Sequence, residues 1–413
     1  MPVSEAQPHD PTPPVKQRLW VSSGVASVGA ASFFSDTGHE IATAVFPSFL
    51  TRALHGSAGT LGIIEGLSDA PLGVAKLIGG PLADDPRRRV RLARGGYTLT
   101  ALLTALIGLS AAVWQAGILR AAAWVARGVR GPARDTMLAS LAPQDAYGRS
   151  FGVERAGDNA GAVLGPLLAA LLVTLVGTRL TFAFSLIPGL LAAIAIGVAA
   201  KRALQIKGAG AERVERKGLQ LAALRQTGLF RSLIPVAFFE LGNVATTLLI
   251  LRATQELHTS GRSVTAATTL AILIYAAHNL IATLTALGGG AWIDKVGPRL
   301  VFAVGAGVYV LAYVGFALPV HDPVVLLVFF CLAGAGIGFA GTAESTLVAQ
   351  TLPDGLRGSG FGLLGGLQCA GDFASSASVG VLYATLGPAA GFGLAGAWMA
   401  LSLLAAGLIG RRA

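Results

Sequence analysis

The sequence predicts an all-α integral membrane protein, with twelve transmembrane helices arranged as two pseudo-symmetric six-helix bundles. Three observations carry this. Only 13% of the 413 residues are charged and 53% are hydrophobic, with a mean hydropathy of +0.66, whereas soluble chains have about a quarter of their residues charged. Apolar runs of about 20 residues, the length a helix needs to cross a bilayer, recur along the whole chain. The second half also repeats residues of the first at a constant offset of 210, which marks an internal duplication.

Charged, proline-marked and glycine-marked gaps divide the chain into predicted spans at 19–50, 58–83, 92–113, 115–141, 148–176, 179–200, 230–256, 263–293, 297–318, 322–352, 358–386 and 388–410. Several exceed the spanning minimum, which implies tilt or extension beyond the hydrocarbon. Residues 1–18 hold five prolines and no apolar core, so they read as a disordered cytoplasmic tail and not as a signal peptide. The expected domains are therefore this tail, an N-terminal bundle at 19–200, a cytoplasmic linker at 201–229 containing "KGAGAERVERKG", and a C-terminal bundle at 230–413.

A net charge of +10 raises the question of nucleic acid, but the placement of the charge argues for lipid. With both termini inside, most of the 31 lysines and arginines gather in the inner connections, such as Arg87 to Arg89 and Lys201 to Arg231. The outer connections hold Arg52, Arg179, Arg252 and Arg262. This positive-inside asymmetry orients a multi-pass protein of a bacterial-type inner (plasma) membrane with both termini cytoplasmic. The two cysteines, Cys331 and Cys369, fall in separate spans and imply neither a disulfide framework nor a zinc site. No metal and no cofactor is expected. "GRSFG" at 148–152 matches GxSxG by letter, but it follows a helix and has no histidine placed to serve it, so a hydrolase elbow is excluded. Enzyme chemistry in general lacks a nucleophile with its base.

The repeat is specific. Gly80 and Asp84 recur as Gly290 and Asp294. Thr136, Pro143, Gly148, Phe151, Gly152, Gly161 and Gly177 recur as Thr346, Pro353, Gly358, Phe361, Gly362, Gly371 and Gly387, without a gap over about 100 residues. Chains built from repeated halves place a site between the halves near the midplane and rock one half against the other. The loops "GPLADDPRRR" (80–89) and "GAWIDKVGPR" (290–299) have a physical rationale in such a molecule. Asp84 or Asp294 can cap a neighbouring helix N-terminus while Arg88, its neighbours and Arg299 pair with acids on adjacent helix ends.

Charges inside the spans come next. Arg120, Arg127 and Arg134 fall at i, i+7 and i+14 on the fourth span, one stripe of a helix, with Arg130 about 60° from Arg127. An arginine facing lipid costs several kcal/mol, so the stripe faces the bundle interior. Depth along the helices sets Asp36 level with Arg127 or Arg130, Glu40 between Arg127 and Arg120, Asp158 near Arg130 to Arg134, and Glu154 toward Arg134. Glu65 and Asp69 share one face of the second span. With Asp135, Lys76 and Arg155 counted, acids and bases nearly balance in this half. Glu154, Arg155 and Arg134 read as structure or gate; Asp36, Glu40, Arg127 and Arg130, at the midplane, read as pathway. In the second half Glu240, Glu344 and Asp372 have no obvious cationic neighbour, and a carboxyl desolvated in this way suits a proton carrier or a permanently protonated hydrogen-bond donor. His278 and Asn279 supply polar contacts in the eighth span.

The two loops resemble the signature GxLaDrxGrr of the major facilitator superfamily. The second copy is close; in the first, Asp85 replaces a basic residue and Arg87 a glycine. Gly152, Gly161, Gly165 and Pro166 reproduce the GxxxxxxxxGxxxGP spacing associated with that family's twelve-helix proton antiporter branch, with Ala169 and Ala170 in place of its final glycines, and they read as a helix-packing motif. Trp124 stands where related antiporters tend to carry an arginine. "FFSDTGHEIATAVFPSFL" and "LGIIEGLSDA" resemble a subgroup of bacterial permeases of largely unassigned substrate. The resemblance implies a monomeric, proton-coupled exporter of a small organic solute, anionic or drug-like. A proton-coupled importer of an organic anion, and a non-transporting sensor or scaffold, remain alternatives.

Overall fold

The computed structural model describes residues 21–207 and 218–410. The expected tail 1–18, both chain ends and the middle of the 201–229 linker lie outside the described residues. Among the described residues there are helices and no strand. They run as α1 (Ser23–Ser48), α2 (Ala58–Ala83), α3 (Pro86–Leu106), α4 (Val113–Leu141), α5 (Tyr147–Phe184), α6 (Leu186–Lys207), α7 (Leu221–Gln226), α8 (Leu229–Gly242), α9 (Thr246–Thr259), α10 (Val264–Val296), α11 (Pro298–Ala317), α12 (Pro323–Thr351), α13 (Asp354–Leu386) and α14 (Pro388–Gly410). Helix α7 is a short linker helix, and α8 with α9 makes a single broken span, which leaves twelve.

Local chemistry sets the ends. Ser22, Ser57 and Ser263 accept from backbone N–H groups in the first turns of α1, α2 and α10, and Asp322 does so for α12. Asp85 accepts from Arg87 N at 2.8 Å and Arg88 N at 3.3 Å, with Pro86 opening α3. That cap replaces the glycine turn: at the repeat-related position Gly297 has φ +88°, while Arg87 is helical. The duplication is visible in the backbone elsewhere, since Gly177 and Gly387 adopt nearly the same left-handed conformation, φ 75° and ψ 172° against φ 93° and ψ 172°. At Gly177, in the expected gap between the fifth and sixth spans, the backbone leaves the helical conformation, so the run α5 is two helical segments meeting at a kink.

The seventh span departs most from expectation. A continuous helix over 230–256 was the expected form; α8 ends at Gly242 and α9 starts at Thr246. The freed amides find side chains: Val244 N donates to Tyr313 Oη at 3.1 Å and Ala245 N to Ser376 Oγ at 3.1 Å. A break at this depth is tolerated where neighbouring helices satisfy the backbone.

In the N-terminal half α1 packs on α5 and α6, α2 on α4, and α3 on α4 and α6. In the C-terminal half α10 and α11 pack on α12, and α14 on α8, α11 and α13. Two seams join the halves, α2 with α13 and α5 with α10. The outer faces carry Leu167, Leu171 and Leu175, each more than half exposed, as expected of a surface that meets hydrocarbon. The packing motif divides between two jobs. Gly152 lies on the α5–α10 seam, where an added Cβ would sit 2.5 Å from Ala286 O, whereas Gly161 and Gly165 receive α1, with Phe33 O 2.6 Å from a Cβ on Gly161. Pro166, one residue on, has no N–H to continue the helix ladder. Gly161→Val should therefore push α5 off α1 and destabilise the chain by about 1–3 kcal/mol. Thermal unfolding in detergent checks this, and an unchanged midpoint would contradict the packing.

Candidate functional site

Helices α1, α4 and α5 bring the N-half charges together. Arg127 Nη2 donates to Asp36 Oδ1 at 2.7 Å between α4 and α1, with Asp36 buried and Arg127 part-buried. Arg130, 5% exposed, donates to Ser35 Oγ at 2.6 Å and lies over the Tyr97 ring at 3.7 Å. Among the described residues no carboxylate stands within 4.0 Å of it. Arg120 is buried against Phe46 and Trp124, with its guanidinium 4.4 Å and 5.5 Å from the two rings. Trp124 thus occupies the space beside both Arg120 and Arg127. Glu40 packs where Gly165 leaves room, and no ion pair joins it to Arg120 or Arg127 among the described residues. The side chains of Glu65 and Asp69 lie outside the described residues.

One helical turn or so further along, Arg134 forks between acids: Nε to Asp135 at 2.8 Å, Nη1 to Glu154 at 2.7 Å and to Asp158 at 3.6 Å. Ser32 Oγ donates to Glu154 Oε1 at 2.9 Å. Arg155 stands 3.7 Å from Glu154 and 3.9 Å from Asp158, and its Nη2 crosses to the other half to donate to Ser345 Oγ at 3.1 Å.

In the C-terminal half Glu240, Glu344 and Asp372 converge on the α8–α9 break. Asn243 Nδ2 donates to Asp372 Oδ1 at 2.9 Å and Glu240 Oε2 at 3.3 Å, and Gln368 Nε2 donates to Glu344 Oε2 at 2.9 Å. A small cavity of about 20 Å³ is lined by Ser232, Arg299, Phe302, Glu344 and Leu347. His278 is set apart from this cluster, with Nδ1 donating to Phe330 O at 3.0 Å and its ring stacked on Tyr275, which is a helix-tying role.

The two loops meet helix ends of the opposite half. Asp294 accepts from Gly148 N at 2.6 Å, Arg149 N at 3.1 Å and Arg149 Nε at 2.7 Å, at the start of α5. Asp84 accepts from Ser359 N at 3.2 Å and Ser359 Oγ at 2.5 Å, in the first turns of α13. Positions 149 and 359 are related by the offset of 210, so each half caps the other at equivalent points. Gly80 and Gly290 admit the close approach: a Cβ on Gly80 would lie 2.7 Å from Gly358 O, and one on Gly290 would collide with Gly148 O. Of the arginines in the first loop, Arg88 pairs locally with Asp85 at 3.6 Å. It is Arg89, 2% exposed, that reaches the other half, with Nη1 3.4 Å from Asp354 Oδ1. Arg299, related to Arg89 by the repeat, is exposed, and the position related to Asp354 is Gln144, which carries no charge.

The chain matches the model of the Major Facilitator Superfamily over residues 28–376 and again over 233–413. The chain belongs to the Major Facilitator Superfamily. It is a multi-pass membrane protein of that family of transporters. Among its relatives, an MFS-type transporter of Methanocaldococcus jannaschii is 26% identical over 83% of this chain and 84% of its own length. An uncharacterised protein of Mycobacterium tuberculosis is 35% identical, but over 37% of this chain and 37% of that relative. The multidrug resistance protein MdtG of Dickeya zeae is 35% identical over 26% of each chain. Among solved structures, a bacterial homologue of the iron transporter ferroportin in an outward-facing state superposes with a TM-score of 0.75 at 15% identity, covering 94% of this chain and 99% of that one. The human organic anion transporter MFSD10 gives 0.71 at 16% identity, covering 93% and 99%. At these identities the superpositions show the fold alone.

Sequence spacing did not single out Asn243, Gln368, Ser345 and Ser359, and of the arginines at 87–89 in this MFS chain it could not say that Arg89 makes the contact. The repeat held a signal for one of them, since Gly148 and Arg149 map onto Gly358 and Ser359.

Burial beyond the end of α2 pushes the Asp84 carboxyl from 3.8 up to about 6, against the opposing pull of the Ser359 bonds and Arg89. A value raised in the closed seam means that the contribution of Asp84 to closure is full below its ordinary range and is lost as pH rises through about 6. The α2–α13 seam should therefore loosen between pH 5 and 7, and Asp84→Asn should remove that response. Distances between nitroxides at positions 91 and 355 report it, and an equal response in the Asn variant would refute the assignment.

Proposed function

We propose that this chain is a proton-coupled secondary transporter working by alternating access, exporting a small organic solute from the cytoplasm as a monomer. The observation that carries the reading is the acid cluster at a mid-depth helix break, with Glu240 and Glu344 buried and Asp372 exposed beside them, next to seams held by matched caps. Broken helices near the midplane supply polar groups for a solute or ion, and intramembrane acids mark proton paths. The arginine-rich loops support a cytoplasmic side for the capped end, and on that reading the caps hold the carrier shut on its inner side. Export is supported by the GxxxxxxxxGxxxGP spacing of α5 and by the partial likeness to MdtG. Asp36 with Arg127, and the acids at the break, are the groups that exchange protons or solute.

Thermal-shift screening of small molecules on purified protein, followed by flux into proteoliposomes with and without ΔpH, tests the reading. Glu240→Gln and Asp36→Asn should each lower ΔpH-driven flux by about two orders of magnitude, within the range seen when a proton-transfer group is lost. Flux that is intact in both variants, or that ignores ΔpH, would sink it. One observation favours an organic anion as the solute: Arg130 is buried without a carboxylate within 4.0 Å among the described residues. On that reading Arg130→Gln weakens anion binding at least tenfold while neutral solutes are unaffected, and counterflow with the gradient reversed tells uptake from export.

A further inference from the structure

The acids at the α8–α9 break are faced by cations from the other half of the molecule. Lys76 leaves α2 and lays its stem in the space that Gly365 leaves on α13, where an added Cβ would lie 2.6 Å from Lys76 Cδ. Its ammonium attracts the Glu240 carboxylate. Arg155 leaves α5 and donates to Ser345 Oγ at 3.1 Å, one residue beyond Glu344 on α12, and its guanidinium attracts the Glu344 carboxylate. One Glu344 oxygen, Oε1, is buried without a hydrogen-bond partner. Among the described residues, the other titratable groups that face the cluster are Asp372 on α13 and the hydroxyls of Tyr309 and Tyr313 on α11. Arg155 is also held by Glu154 and Asp158 of its own half, so a single guanidinium stands between the acids of both bundles.

We propose that Lys76 and Arg155 are the inter-half counter-cations of the Glu240–Glu344–Asp372 cluster and thereby tie closure of the inner end to the charge on that cluster. The inference rests on the alternating-access reading above and names its coupling residues. When the seams part, α2 and α5 move with one half, and α8, α12 and α13 with the other, so both cations withdraw together. An ionised cluster then loses its attraction to them, which is costly for a desolvated charge. A protonated cluster loses little. Through these two side chains, ionised acids favour the closed inner end, and a proton on the cluster cancels that contribution. The arrangement needs cation and acid on opposite halves; a pair within one half moves as a unit and senses nothing.

The test uses the full chain in lipid nanodiscs with Cys331→Ala and Cys369→Ala. Asp84→Asn keeps the seam carboxyl from titrating, and nitroxides at positions 144 and 300 report the separation of the inner ends. At pH 9, Lys76→Gln and Arg155→Gln should each raise the open-to-closed ratio by about tenfold, a typical coupling. The effect should shrink as the pH is lowered and the cluster takes up protons. Lys76→Arg should behave as the parent, and in a Glu240→Gln background Lys76→Gln should add nothing. Gly365→Ala, which displaces the Lys76 stem and keeps its charge, should open the inner end in the same pH-dependent way and serves if Lys76→Gln does not fold. A pH-independent effect, no effect, or an undiminished effect of Lys76→Gln beside Glu240→Gln would overturn the proposal. Distance shifts as expected with flux indifferent to ΔpH would end the proton-coupled reading and leave the counter-cation assignment standing.

Discussion

Replacing Asp294 by alanine should open the inner end of the molecule by about two orders of magnitude in population. Three donors lose their acceptor at once, Gly148 N, Arg149 N and Arg149 Nε, at 2.6 to 3.1 Å. Hydrogen bonds to a charged group contribute about 1.5–3 kcal/mol each, and the carboxylate also complements the positive end of α5. Because contributions of groups that act together do not add, about 3 kcal/mol is the expected net loss, or about a hundredfold at 1.4 kcal/mol per decade. Asp294→Asn keeps one acceptor oxygen and should fall between. Nitroxide distances across the α5–α10 seam, measured between positions 144 and 300 at fixed pH, give the populations. A distribution in the alanine variant that matches the parent would mean that the cap does not hold the seam.

The second large effect is expected deeper in the N-terminal half. Arg127→Met removes the partner of Asp36 at 2.7 Å, and Asp36 is 7% exposed. Breaking a buried pair from one side costs about 3–5 kcal/mol because the remaining charge is stranded. The double variant Arg127→Met with Asp36→Asn removes both charges and should recover most of that loss. Thermal unfolding in detergent separates the cases: equal losses in the single and double variants would show that packing, and not charge, held the pair.

What the sequence disclosed followed from quantities that a single helix fixes. Hydropathy gave the spans, the offset of 210 gave the duplication, and depth along two helices was enough to set Asp36 level with Arg127 or Arg130, of which Arg127 is the partner, and Glu154 toward Arg134. What escaped it depends on which faces meet across a seam. Periodicity cannot say that Arg89 and not Arg88 turns inward to Asp354, nor that the cations beside Glu240 and Glu344 come from α2 and α5 of the other bundle. The interruption at 243–245 escaped for a different reason. "ELGNVATT" carries a glycine and an asparagine that weaken a helix by only about 1 kcal/mol, and the break is fixed by Tyr313 and Ser376, which are remote in sequence.

Reciprocal capping has a consequence for assembly. The amides at the head of α5 find their acceptor only on the far bundle, and those at the head of α13 find theirs on the near one. Either bundle made alone would therefore display one unfinished helix head and one idle aspartate. Two separately synthesised bundles would carry the complementary docking parts already built in, so cutting the chain within 208–217 should leave fragments that recognise each other at both points together.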